Sequence, residues 1–369
     1  MIKFVDLQGQ YQKIKKEIEK EVLEVLASGR YSAGLKTEAF EKKFAEFCRT
    51  KYALAVNNGS SALLLALLAL NLKKGSEVIT QPNTFVATVA AIIFAGLKPV
   101  FCDINPETYN LDAKKIEKVI TKKTKVILPV HLFGQTADMG AILKIARKYK
   151  LFVVEDCAQA HGAEYHKKRA GSFGDIGCFS FYPTKVLGAC GEGGAVVVNN
   201  QELVEKMKRL RDHGSAKKYY HSEVGFNFRL EEIQGAILGV KMKYLGQWIK
   251  SRQKAARIYD KLLKNSGVAT PFAPKGFKGV YYVYVVRAKN RNELQEYLAK
   301  SGIGTMIHYP LPIHLQEGYK FLGYKTGDFP EAEKAADEIL SLPFYPEIKL
   351  SEQKLVAQKI KEFYAGYAK

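Results

Sequence analysis

Apolar residues recur along this chain with two different spacings. Ile14, Ile18, Val22, Leu23 and Leu26 fall on one face of a helix and predict one over residues 12–28, and a similar stripe predicts a second over 37–48. From Tyr52 onward the pattern changes to short unbroken apolar runs separated by helical stretches. Strands are predicted at Tyr52–Val56, Glu77–Thr80, Lys98–Phe101, Lys125–Val130, 151–155 and 195–198, with helices over 61–71, 85–95, 137–148 and about 202–211. Strands that are apolar without polar alternation belong to a mainly parallel sheet covered by helices on both faces. Ligands of such sheets collect at the C-terminal ends of the strands.

After a loop over 212–228, a pattern running from about 230 to 262 predicts one long helix, a spine between two lobes. Beyond it lie an alternating strand, Tyr281–Val286, a helix over 291–300, a loop from His308 to His314 and a last helix over 351–366. The chain of 369 residues exceeds the usual single domain. The expected division is a large α/β domain, residues 1–240, and a smaller α+β domain, residues 241–369.

Apolar residues make up 47% of the chain, yet no apolar run reaches the roughly 18 residues that a membrane span requires. The start, Met1-Ile2-Lys3-Phe4-Val5-Asp6, lacks the apolar core of a signal peptide, so a soluble cytoplasmic protein without a membrane partner is expected. Five cysteines, none at two-residue spacing, read as small core residues in a reducing compartment, and no metal site is expected. The formal charge of +20 raises the question of nucleic acid, but the lysines are dispersed through amphipathic helices instead of forming one basic arm. A solvated face that steers anionic substrates accounts for them, and no nucleic-acid partner is expected.

Two segments carry candidate chemistry. Lys185 follows Ser180-Phe181-Tyr182-Pro183-Thr184 and precedes a glycine-rich run from Gly188 to Gly194, and Asp156 ends the apolar strand Val153-Val154-Glu155-Asp156. One amine and one strand-end carboxylate are the minimum for holding pyridoxal 5'-phosphate: the amine attaches the cofactor and the carboxylate keeps its ring nitrogen protonated. Glu155 competes with Asp156 on residue type, although strand alternation puts the two on opposite faces. Between the first strand and the next helix, Asn57-Asn58-Gly59-Ser60-Ser61 forms a small-residue turn at a helix N-terminus, which suits a phosphate or, equally, a plain helix cap.

Over essentially its whole length the chain resembles the DegT/DnrJ/EryC1/StrS sugar-nucleotide aminotransferases. The resemblance rests on Phe4-Val5-Asp6-Leu7, Ser28-Gly29-Arg30-Tyr31, Asn58-Gly59-Ser60, Pro82-Asn83-Thr84-Phe85, Val130-His131-Leu132-Phe133-Gly134-Gln135, Glu155-Asp156-Cys157-Ala158-Gln159, Phe179 to Lys185, and Gly225-Phe226-Asn227-Phe228-Arg229, in that order. It implies the fold type I architecture of aspartate aminotransferase. It also implies a pyridoxal 5'-phosphate cofactor, with pyridoxamine 5'-phosphate as the form that carries nitrogen between substrates. By the same resemblance Lys185 is the cofactor-bearing lysine and proton carrier; some members have histidine there and do not transaminate. Asp156 becomes the partner of the pyridine nitrogen, Gln159 of the 3-hydroxyl oxygen, and Phe85 the ring that stacks on the cofactor. Gly59, Ser60, Ser61 and Ser180 become the phosphate contacts. Asn227 reaches the phosphate of a neighbouring subunit, which implies a homodimer with shared active sites.

For the substrates, the resemblance implies L-glutamate as donor, 2-oxoglutarate as its product, and a nucleotide-linked ketosugar as acceptor. Lys217-Lys218-Tyr219-Tyr220-His221 and Gly304 to Pro310 resemble the subset acting at C-3 of dTDP-linked 3-keto-6-deoxyhexoses. Arg30, Tyr31, Tyr219, His308, Tyr309 and His314 are the substrate-binding candidates. A UDP-linked 2-acetamido-3-keto-glucuronic acid, a nucleotide-linked 4-ketosugar, and a non-catalytic regulatory or nucleic-acid-binding role on the same fold are the alternatives.

Overall fold

In the computed structural model, which describes residues 1–32 and 34–367, seven strands form one sheet. Their spatial order is Tyr52–Val56, Gly194–Val198, Ile176–Ser180, Phe152–Asp156, Thr124–Ile127, Glu77–Thr80 and Lys98–Phe101. Gly194–Val198 runs antiparallel to both neighbours, and every other adjacent pair is parallel. The expected α/β fold with a mainly parallel sheet is the fold the chain adopts. Glu77–Thr80 and Gly194–Val198 are buried at every position, which is why these strands show no polar alternation.

The strand Ile176–Ser180 carries no apolar run, since Gly177 and Cys178 interrupt it. Its glycine is dictated by contact: a Cβ on Gly177 would lie 2.4 Å from the Cα of Gly171. The helix Leu35–Cys48 has no side-chain cap of its own. Instead the buried carboxylate of Glu232, in the first turn of the helix Glu232–Leu262, accepts from the Gly34 and Thr37 amides and the Thr37 hydroxyl. That one carboxylate fixes the helix N-terminus against the long helix.

The long helix runs unbroken past residue 240 and contributes to two apolar cores. Leu238, Leu245 and Ile249 pack with the large sheet, whereas Ala255, Ala256, Tyr259 and Leu263 pack with a three-stranded antiparallel sheet. That second sheet comprises Val268–Ala269, Tyr284–Ala288 and Ile339–Leu342 and is backed by the helices Arg291–Lys300 and Leu350–Tyr367.

One expected element is displaced. The alternation at 281–286 predicts a strand, but the strand starts at Tyr284. The backbone of 280–282 instead docks on the turn Phe133–Gly134: Val280 N–H donates to the Gly134 carbonyl at 2.8 Å and Tyr282 N–H to the Phe133 carbonyl at 3.0 Å. Buried Arg252 of the long helix donates to the carbonyls of Tyr281 and Tyr282, both at 3.1 Å. These long-range partners take the backbone groups that a strand would have used. Among the described residues no helix is long and apolar enough to cross a membrane.

Candidate functional site

The carboxylate of Asp156 stands at the C-terminal end of the central strand Phe152–Asp156, buried. Its Oδ1 accepts from the Ala158 N–H at 3.1 Å and its Oδ2 from the Thr88 hydroxyl at 2.8 Å. Thr88 lies in the helix Val86–Phe94, and its oxygen is within 2.8 Å of the Thr84 hydroxyl, so a threonine relay orients the carboxylate. Burial pushes the Asp156 carboxyl above its usual range, opposed by the Ala158 and Thr88 bonds and by the charge of Lys185. A buried carboxylate with this balance gains most from an added cation that hydrogen-bonds to it.

Glu155, the competing carboxylate, is fully consumed by structure. Its two oxygens accept from the amides of Gly171, Phe173 and Gly174 and from His131 Nε2 at 2.9 Å. His131 Nδ1 accepts from the Ala137 N–H at 3.0 Å, which leaves the proton on Nε2. His131, Glu155 and Cys157 come within metal-ligand reach of one another, but both imidazole nitrogens and both carboxylate oxygens are already bonded. The cluster is a hydrogen-bonded brace for the 171–174 loop.

Above Asp156 several rings assemble. Phe85 immediately precedes the helix Val86–Phe94 and is 54% exposed, with its ring 5.6 Å from that of Tyr309. Gln159 Oε1 accepts from the Phe133 N–H at 2.6 Å and Nε2 donates to the Tyr309 hydroxyl at 3.2 Å, leaving one amide N–H of Gln159 free for a ligand. His308 is tied by Nδ1 to the Ser341 hydroxyl at 2.9 Å and lies 6.3 Å from the ring of Tyr282. Lys185 Nζ sits 4.3 Å from the centroid of the Tyr282 ring.

The small-residue turn sits beside this group. Asn58 caps the helix Gly59–Ala69 by accepting from the Ser61 N–H at 2.8 Å. A Cβ on Gly59 would fall 2.5 Å from the Cβ of Ser180, and one on Gly194 would fall 2.4 Å from the Asn58 carbonyl. The two glycines therefore let the serine at the end of Ile176–Ser180 approach the helix N-terminus, where Ser60 is exposed and Ser61 is buried beneath the Asn58 cap.

This chain matches the DegT/DnrJ/EryC1/StrS aminotransferase family over residues 12–361. It is 46% identical over its full length, and that of the relative, to a "Pleiotropic regulatory protein" of Geobacillus stearothermophilus. It is 43% identical, again over the full length of both, to a dTDP-3-amino-3,6-dideoxy-alpha-D-galactopyranose transaminase of Aneurinibacillus thermoaerophilus. A UDP-2-acetamido-2-deoxy-3-oxo-D-glucuronate aminotransferase of Pseudomonas aeruginosa is 40% identical over 96% of this chain and 98% of that one. Among solved structures, DesV of S. venezuelae, crystallised with a ketimine intermediate, superposes with a TM-score of 0.96 at 38% identity, covering 98% of each chain.

The chain belongs to the DegT/DnrJ/EryC1/StrS family. It is accordingly a sugar-nucleotide aminotransferase dependent on pyridoxal 5'-phosphate.

Measured against that membership, the expected residues of this aminotransferase separate into two groups. Lys185, Asp156, Gln159, Phe85, His308 and Tyr309 converge, and Gly59, Ser61 and Ser180 meet beside them. Arg30 and Tyr31 lie on the surface after the helix Leu7–Ser28, and Tyr219 is 81% exposed at the tip of the hairpin Ser215–Lys217/Tyr220–His221. Asn227 is exposed and, among the described residues, its side chain makes no hydrogen bond. His314 lies elsewhere than expected: it is 1% exposed, packs on Phe101 and Phe329, and pairs through Nε2 with Glu333 at 3.0 Å. A ring enclosed in that way has no face for a sugar nucleotide, so His314 fastens the loop to the helix Pro330–Glu338. Thr88 and Tyr282 are the residues that sequence reasoning missed. Thr88 lies in the helix and meets Thr84 in the loop just before it, a contact across the helix start, whereas Tyr282 is hidden inside what reads as a strand.

Proposed function

We propose that this aminotransferase moves an amino group from L-glutamate to C-3 of a dTDP-linked 3-keto-6-deoxyhexose, yielding a dTDP-3-amino-3,6-dideoxyhexose. The observation that carries the chemistry is the convergence of a buried, under-compensated Asp156, at the end of one strand, with Lys185, in the turn that follows the adjacent strand. The relative named for a dTDP-3-amino-3,6-dideoxy sugar, alike over its full length, supports the substrate.

In this reading the residues present fit pyridoxal 5'-phosphate. Asp156 holds the ring nitrogen in its protonated form, a free N–H of Gln159 meets the 3-hydroxyl oxygen, and Phe85 covers one ring face. Gly59, Ser60, Ser61 and Ser180 receive the phosphate at the helix N-terminus. When bound, the cofactor supplies an electron sink for the substrate carbon that loses its proton. Lys185 Nζ would tether the cofactor and, once free, would accept that proton and give it back. The Thr88 hydroxyl, itself beside that of Thr84, would keep the Asp156 carboxylate oriented toward the ring nitrogen. His308 and Tyr309 close the site on the sugar side, and Arg30 and Tyr31 await the diphosphate. Asn227 and Tyr219, both exposed, complete the site of a second subunit in a homodimer. The reading also takes the enzyme as cytoplasmic, consistent with five free cysteines of which four are buried.

The sharpest test uses the reverse reaction. Purified enzyme is offered a panel of amino sugar nucleotides with 2-oxoglutarate, and glutamate is measured. Turnover with dTDP-3-amino-3,6-dideoxyhexoses is expected. Turnover confined to UDP-linked 2-acetamido-3-amino uronic acids would favour the second reading, to which the 40%-identical relative points. Turnover confined to 4-amino sugars would reject C-3 amination. The regulatory name of the 46%-identical relative gives a third reading, favoured if salt-sensitive DNA binding is found without any glutamate half-reaction.

A further inference from the structure

The segment 280–282 reaches the site from the chain between the two cores and ends under the lysine amine. Tyr282 is held at three points that do not involve the cofactor. Its N–H donates to the Phe133 carbonyl at 3.0 Å, its carbonyl accepts from Arg252 at 3.1 Å, and its hydroxyl lies 3.0 Å from the Thr184 hydroxyl. Its ring is 8% exposed and faces Lys185 Nζ at 4.3 Å from the centroid. Gly134 makes this docking possible: its φ is +96°, and a Cβ there would lie 2.7 Å from the Tyr282 nitrogen. The lysine backbone is fixed from the other side, because Lys185 N–H donates to the Tyr182 carbonyl at 2.9 Å. Thr184, next to Lys185, thus ties the tyrosine to the very turn that carries the amine.

We infer that Tyr282 is a positioning residue for Lys185, its ring face holding the amine on its path and its hydroxyl locking the Thr184–Lys185 turn. The inference rests on the reading of Lys185 as the cofactor-bearing lysine. An aromatic face attracts a cationic nitrogen, so the ring gives the Lys185 amine a fixed resting place beside it. A flat wall beside a long flexible side chain also removes the rotamers that point away from the substrate carbon. Neither effect requires the tyrosine to give up its own proton.

The test compares cofactor-loaded wild type, Tyr282→Leu, Tyr282→Phe and Thr184→Val by steady-state kinetics and by pH titration of the visible absorption band. Tyr282→Leu is expected to lower kcat by on the order of 10²-fold while KM for glutamate changes by less than about 3-fold. It should also shift the titration midpoint of the band down by roughly half a unit, the size of a partly exposed cation–π contact. Tyr282→Phe keeps the ring and should restore the wild-type midpoint, with a kcat deficit matching that of Thr184→Val. If Tyr282→Leu does not fold, Tyr282→Met, which keeps the bulk without the ring, carries the same expectations. Wild-type kcat and midpoint in a folded ring-less variant would overturn the inference, as would an equal midpoint shift in Tyr282→Phe. A Lys185→Ala protein that keeps the wild-type absorption band would instead overturn the underlying reading of Lys185.

Discussion

The two sides of this active site are built differently. On the proposed cofactor side Asp156 ends a strand, Thr88 lies in the first turn of a helix, and Gln159 and Lys185 stand in turns that follow strands, each tied to backbone or to a second side chain. The proposed substrate contacts Arg30, Tyr31 and Tyr219, and with them the proposed phosphate contact Asn227, lie on exposed segments whose side chains have few partners of their own. The contrast teaches where each property of the enzyme resides. Proton transfer needs atoms fixed to fractions of an ångström, which the buried C-terminal end of a central strand supplies. Choice among sugar nucleotides is left to loops that surface exposure frees to vary.

The largest break in this comparison should come from Asp156→Asn. With cofactor still bound, the glutamate half-reaction is expected to slow by roughly 10²-fold, because a ring nitrogen without its carboxylate is a poorer electron sink. Stopped-flow absorbance measures this directly, and a rate near wild type would detach Asp156 from the chemistry. On the other side, Tyr219→Ala should raise KM for the sugar nucleotide by about 10-fold, the loss of one stacking contact, with the glutamate half-reaction unchanged. His314→Ala supplies the contrast: it should lower the melting temperature and leave that KM alone, since its ring is spent on Glu333 and Phe329.

Mixing chains tests whether the exposed side belongs to a second subunit. Lys185→Ala and Asn227→Ala chains, each weakly active alone, should after exchange recover about a quarter of wild-type turnover, from one intact site in half of the dimers. No recovery after exchange is proved by mass would assign Asn227 to its own subunit. The smallest effect concerns pH. Burial, aided by the charge of Lys185, lowers the pKa of His161 to about 3 and that of His308 to about 4, from 6.5. Both are neutral when folded, and the unfolded chain takes up their protons first. The stability they contribute is therefore complete above pH 6.5 and is lost as pH falls from there towards 4 and then 3. Urea midpoints of His308→Asn against wild type should converge as pH drops from 7 to 5.

The parallel strands and their order of helices were legible because buried strands leave unbroken apolar runs, and Asp156 was legible because it ends one of them. Ile176–Ser180 was not, since Gly177 is required there by the close approach of the Gly171 backbone and interrupts the apolar run. Tyr282 escaped for a related reason: tyrosine and valine in alternation read as a strand, while the backbone bonds that decide the matter come from Phe133 and Arg252, far away in the chain. His314 sat in a loop rich in prolines and aromatics that reads as a ligand loop, and only the packing against Phe101 and Phe329 shows it turned inward.

The central claim is that the cofactor is carried by Lys185 at the end of this sheet. Borohydride reduction of the enzyme loaded with pyridoxal 5'-phosphate, followed by digestion and mass spectrometry, tests it most directly. One pyridoxyl-bearing peptide is expected, modified at Lys185 and absent from the Lys185→Ala protein. Stoichiometric label on any other lysine, or none on the folded, cofactor-saturated enzyme, would contradict it.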